Sequence, residues 1–184
     1  IKLDTGEIFI YGDAGKEFNI SGGMFEMNNS NISTYPAASA EGNSQKGAAM
    51  TVSGGTFKMN ESSLGRENSG DLDISGGEFT LENGSAIFHD GETGNINISD
   101  GTISLKDSSI VRGGDYQSED GKPASGDINI TGGTIIADNS EISNNGSGSL
   151  NIKNGTVNTV KSELHGKGIE VSGGNITLNG TDFT

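Results

Sequence analysis

The sequence predicts an all-β chain wound as a parallel β-helix, a solenoid of about eight coils. Three observations carry the prediction. One phrase recurs along the chain, reading FNISGGMFEM, MTVSGGTFKM, LDISGGEFTL, INISDGTISL, INITGGTIIA, LNIKNGTVNT and IEVSGGNITL from residues 18, 50, 72, 96, 128, 150 and 169. When the first residue of each copy is counted as position 0, apolar side chains fall at positions 0, 2, 7, 9 and 14. A glycine stands at position 5 of every copy. Units that repeat at such spacings cannot each bury an apolar row alone; stacked, they bury it together.

Each part of the repeat has its own physical reason. Positions 0 and 2 alternate, as do 7 and 9, and alternation marks a strand with one buried face. The copy at 50 shows the full set as Met50, Val52, Phe57, Met59 and Leu64, and the last copy as Ile169, Val171, Ile176, Leu178 and Phe183. An eighth, looser copy opens the chain as IKLDTGEIFI. Between the two arms lies the glycine: Gly6, Gly23, Gly55, Gly77, Gly101, Gly133, Gly155 and Gly174. These are read as turns with positive φ, where glycine carries no Cβ penalty. Position 12 reads Ser30, Ser62, Gly84, Ser108, Ser140, Ser162 and Thr181, a hydroxyl column able to bond along the rod or to turn backbone. At position 14 the copy at 72 slips by one, with Ile87 in place of Ala86. No copy carries a stripe of period 3.6, so no helix is expected. Parallel crossovers favour a right-handed wind, and strand spacing makes the rod roughly 35–40 Å long.

The whole chain, 1–184, reads as one domain with coils starting near 1, 18, 50, 72, 96, 128, 150 and 169. Surplus length always follows position 14, so excursions share one side. Two are long, 33–49 and 111–127, and hold Pro36, Pro123, Tyr35 and Tyr116. Loops on a rigid scaffold are where function concentrates, so Tyr35 and Tyr116 are the candidate binding residues.

Charge narrows the partners. The chain carries 25 acidic and 11 basic residues, a formal charge of −14. Nucleic acid and anionic membrane surfaces are repelled, and no apolar run is long enough for a membrane helix. Cysteine is absent, which removes disulfides and thiolate metal sites. The acids scatter over the repeat positions; Glu141, Glu163 and Asp182 share position 13 and read as a solvated face. No convergent acid pair suits glycoside chemistry, so no catalytic residue, no cofactor and no enzyme activity are expected. His89 and His165 are expected on the surface, too far apart to share a metal. The loop GGDYQSEDGK offers Asp115, Glu119 and Asp120 as a weak calcium candidate, without an EF-hand or nonapeptide spacing. N-x-S/T occurs eleven times, largely because the repeat itself contains N-I-S and N-I-T.

The phrases SGDLDISGGEFTLENGSAI and SGDINITGGTIIADNSEISNNGSGSLNI resemble the repeats of filamentous-haemagglutinin-type exoproteins and of autotransporter-like surface β-helices. The resemblance covers nearly the whole chain and departs at its many SGG turns. It implies a large secreted adhesin whose β-helix is a shaft, with specificity in loops or distal domains; it assigns no site residue. The expected function is therefore a non-enzymatic shaft segment of an extracellular, cell-surface adhesin or fibre. Its expected partners are a host or neighbouring-cell surface, glycan or matrix, or further copies stacked end to end. A self-assembling filament subunit and a polysaccharide-binding or -cleaving β-helix are the alternatives.

Overall fold

A computed structural model describes residues 1–12, 16–36, 48–67, 69–113 and 123–184. The described residues are all β, with strands stacked in parallel register into two sheets. The first sheet has eleven strands. It begins Lys2–Asp4, Glu17–Asn28, Ala49–Asn60, Leu72–Glu82 and Ile96–Lys106. From there each coil contributes two shorter strands, Ile128–Ile130 with Thr134–Asp138, Leu150–Ile152 with Thr156–Val160, and Ile169–Val171 with Asn175–Asn179. The second sheet has eight strands: Glu7–Gly12, Asn31–Pro36, Ser63–Arg66, Ala86–His89, Ser109–Arg112, Glu141–Asn144, Glu163–His165 and Asp182–Phe183. A third side, joining the second sheet back to the first, carries a single bridge among the described residues, Thr93 to Ser125.

Repeat positions stack in register, so the apolar positions become columns of the core. Position 0 runs Met50, Leu72, Ile96, Ile128 and Leu150, and position 14 runs Ile32, Leu64, Ile87, Ile110, Ile142 and Leu164; all are buried. At position 7, Phe25, Phe57 and Phe79 stack face to face with centroids 4.6 Å apart and planes 6° and 4° from parallel. The strand spacing dictates that separation, so the rings repeat the backbone ladder inside the core.

The SGG bend uses its two glycines for different reasons. The second, at position 5, has φ from 74° to 108° in the seven copies from Gly23 to Gly174. The first is a matter of space wherever a coil precedes it closely: a Cβ on Gly76 would lie 2.5 Å from Ser53 O, and one on Gly132 would lie 2.1 Å from Ser99 O, whereas one on Gly22 would meet nothing within 4 Å. A second corner follows at position 11, where single residues turn the chain in the left-handed region: Asn29, Glu61, Asn83, Asp107, Asn139 and Lys161, with φ of 46–54°. Beside it the serine column is a hydrogen-bond ladder. The Ser30 N–H donates to Ser62 Oγ at 3.1 Å, Ser108 N–H to Ser140 Oγ at 3.1 Å, and Ser140 N–H to Ser162 Oγ at 3.2 Å. Each hydroxyl donates to a carbonyl of its own corner, as Ser140 Oγ does to Asp138 O at 2.7 Å. Ser85, rather than Gly84, occupies this ladder, accepting from Ser62 N–H at 3.1 Å. The Asn83–Gly84 pair absorbs the extra residue, which is also why Ile87 takes the core place.

The first copy sits differently from the expectation. Leu3 pairs with Met27 and Ile8 with Ile32, so Ile1 aligns with position 7 rather than position 0. Gly6 then falls at the serine corner, where its N–H donates to Ser30 Oγ at 3.2 Å; the positive φ is at Thr5, 56°. The two long excursions are shorter than expected as well. Ser33–Pro36 extends one strand of the second sheet, Val111 and Arg112 end another, and buried Ala48 and Ala124 belong to the coil wall. Alternation simply continues past position 14 into these residues.

That continuation builds a sixth interior column, and it is polar. Thr34, Arg66, His89, Arg112 and Asn144 follow one another in register, each fully buried. His89 is thus an interior residue, contrary to the surface position expected for it. The cause lies on the third side, where several carbonyls take their donors from inside the rod. Arg66 Nη1 and Nη2 donate to Asp71 O at 2.9 Å and Ser69 O at 2.8 Å. Arg112 donates through Nε to Gly94 O at 2.8 Å and through Nη2 to Ser125 O at 2.6 Å. Asn144 Nδ2 donates to Gly126 O at 2.9 Å and Ser149 O at 3.2 Å. His89 bonds Gly70 O through Nε2 at 2.5 Å and accepts the Gly91 N–H on Nδ1 at 3.2 Å, which makes it the neutral Nε2–H tautomer. Burial, then the Arg112 and Arg66 charges, push its pKa down to about 3, against the Gly70 hydrogen bond.

Candidate functional site

The strand Glu7–Gly12 alternates Ile8 and Ile10 inward with Phe9 and Tyr11 outward. In the next coil Ser33 lies opposite Phe9, and Tyr35 lies opposite Tyr11. The small Ser33 leaves room for the Phe9 ring to meet Tyr35 edge to face, with centroids 5.1 Å apart and planes at 82°. The Tyr11 and Tyr35 rings stand 5.6 Å apart and tilted by 32°. Phe9 is 39% and Tyr11 65% exposed, while Tyr35 is half-buried between its neighbours. Ser33 and the Glu67 carboxylate, one coil further on, lie beside the Tyr35 hydroxyl. Burial first, and the Glu67 and Tyr11 charges after it, raise the phenol's pKa against the Ser33 bond. The cluster is an exposed three-ring patch with a carboxylate at its edge, outside the rod, whereas the Phe25–Phe57–Phe79 stack is sealed within it.

Of the two tyrosines expected to bind, Tyr35 sits in this patch, on a strand rather than a loop. Tyr116 lies outside the described residues, as do the calcium candidates Asp115, Glu119 and Asp120. Phe9 and Tyr11 were legible as outward positions of an alternating strand, but only the register places them beside Tyr35, 24 residues away for Tyr11. Among the described residues no group of three metal-binding side chains converges, and no helix is long and apolar enough to cross a membrane. Glu141, Glu163 and Asp182 are in direct register along the second sheet. They edge a polar groove at the position-11 corner together with Asp107, Asn139 and Lys161.

The asparagines of the repeat form ladders of their own. Asn97 donates to Asp73 Oδ1 at 2.7 Å, Asn129 to Asn97 at 3.0 Å and Asn151 to Asn129 at 2.9 Å. Such stacked amides satisfy one another from coil to coil, and N-x-S/T asparagines are among them: Asn97 and Asn129 here, and Asn28, Asn60 and Asn83 in a second ladder. No protein-family model, no curated protein and no solved structure matches this chain.

Proposed function

We propose that the chain is a non-enzymatic shaft segment of an extracellular, cell-surface adhesin or fibre, contacting a neighbouring surface through its side. The observation that supports the reading most is the continuity of the wall. Among the described residues the interior columns from Ile20 to Leu164 are packed or hydrogen-bonded along the coils, and the exposed aromatic patch stands on that wall. A wall built this way holds its length and carries a patch at a set distance, which is what a shaft does. The strong acidity, −14 overall, keeps neighbouring rods apart. The resemblance to haemagglutinin-type repeats points the same way.

The test is location. Intact cells of the native source are treated with an impermeant protease and probed with an antibody raised against this chain. Loss of the signal while a cytoplasmic marker survives is the expected result. A chain that stays protected until the cells are lysed would overturn the reading.

A further inference from the structure

We propose that the Phe9–Tyr11–Tyr35 patch, edged by Glu67, binds a neutral glycan built of pyranose rings. The inference deepens the adhesin reading above, naming its ligand class, and rests on that reading only for its biological setting. Four observations lead to it. The chain has three tyrosines and no tryptophan, and two of those tyrosines meet at one outward spot with Phe9. Elsewhere along the same outward column stand Ser33, Gly65, Phe88, Val111 and Ser143; Phe88 is buried at 7% exposure, so the exposed rings are local rather than a wall element repeated up the rod.

The ring geometry suits a sugar. The aliphatic C–H face of a pyranose packs on an aromatic face, and its equatorial hydroxyls need donors and acceptors around the rim. Here the tilted Tyr11 and Tyr35 faces supply the first. The phenol hydroxyls and the Glu67 carboxylate beside Tyr35 supply the second.

Size and charge select among ligands. A protein partner needs a ring of further contacts to exclude water from its central anchors, and among the described residues the neighbours on the next coils are Ser33, Gly65, Glu67 and the buried Phe88. One or two sugar rings need no such surround. An anionic polymer meets a rod of charge −14 with a carboxylate at the patch itself, and repulsion excludes it. The ligand class is therefore an uncharged saccharide.

The experiment is isothermal titration of the full chain with cellohexaose, laminarihexaose, maltohexaose and mannohexaose, and with hexagalacturonate as the anionic counterpart. At least one neutral hexamer should bind saturably. Tyrosine emission should change in step, because two of three tyrosines lie in the patch. The double variant Tyr11→Ser/Tyr35→Ser should weaken that binding about tenfold or more. Ile136→Ser, at another exposed apolar residue far along the rod, should leave it unchanged. Circular dichroism checks that both variants keep the β fold. No saturable binding of any neutral hexamer, equal binding of hexagalacturonate, or unchanged binding by the folded double variant would each overturn the proposal. Failure here is separable from failure of the location test. A chain shaved from cells but blind to all four sugars keeps the shaft and loses the platform. A protected chain that binds them loses the adhesin and keeps the platform.

Discussion

Acidification should unlatch the interior through His89. Its ring lies in register between Arg66 and Arg112, fully buried, and neither of these column neighbours is an acid. Both ring nitrogens are occupied in the neutral form, Nε2 by Gly70 O and Nδ1 by the Gly91 N–H. A proton on Nδ1 would break the second bond and place a third cation in the column. The folded pKa of about 3 lies below the ordinary value near 6.5. The unfolded chain therefore binds more protons between those two values, and stability falls as pH drops through that window. Above the unfolded pKa the stability is fully present. Linkage gives a loss of about 2 kcal/mol by pH 5 and about 3 kcal/mol by pH 4, for this one group. Carboxylates titrate over part of the same range, so the measurement is a difference against His89→Asn. Asn144 occupies the same column two coils on, and it makes the matching pair of bonds, to Gly126 O and from the Gly146 N–H. Urea unfolding of both proteins at pH 7, 5 and 4, followed by circular dichroism, gives the two pH profiles. The variant starts lower at pH 7, having lost ring volume, and loses about 3 kcal/mol less than the natural protein by pH 4. Parallel profiles, or a His89 ring resonance titrating near 6, would falsify the reasoning.

Three further outcomes follow from the wall. Phe57→Ala removes the middle ring of the buried stack, with partners on both sides at 4.6 Å; unfolding free energy should fall by about 3–5 kcal/mol. Gly94→Ala meets both backbone objections at once, a φ of 118° and a Cβ 2.2 Å from Gly70 O. It should cost more than about 2 kcal/mol or prevent soluble expression, while Gly84→Ala, whose Cβ meets nothing within 4 Å, should lose only the conformational term of about 1 kcal/mol. Lys161 holds the left-handed corner at φ 48°, a conformation that suits asparagine or glycine better. Lys161→Gly should raise the thermal midpoint, by a gain of about 1 kcal/mol, and an unchanged or lowered midpoint would show that Lys161 contributes more than its backbone strain costs.

Much of this architecture was legible because its causes are local. Alternation at positions 0, 2, 7 and 9 reports which face of a strand meets the core, and a glycine between two arms reports a bend. The serine column was legible too, since equal positions stack once the repeat is aligned. The αL corner at position 11 was not, because Asn29, Glu61, Asp107, Asn139 and Lys161 share a backbone conformation and no side-chain chemistry. The first copy misled for a related reason. Its Gly6 imitates the bend glycine, while Leu3, Ile8 and Ile10 fit the core only in a register shifted by seven. His89 was placed outside because a lone histidine beside a turn has no apolar signature. Its alternation with Ile87 was the available clue, and the need for interior donors on the third side was not visible before that side was built.

By itself, then, the sequence determined that the chain is all β, that it coils, and which five positions fill the apolar core. Those are consequences of period, side-chain polarity and glycine's backbone freedom, and each acts within a few residues. The tertiary structure alone decided that first bend glycines such as Gly76 and Gly132 are there for space, that Arg66, His89, Arg112 and Asn144 line the inside, and that Phe9 and Tyr11 join Tyr35 outside. All three depend on what the coil above or below presents at a given height. Register, a relation between residues about 20–30 apart along the chain, sets that pairing.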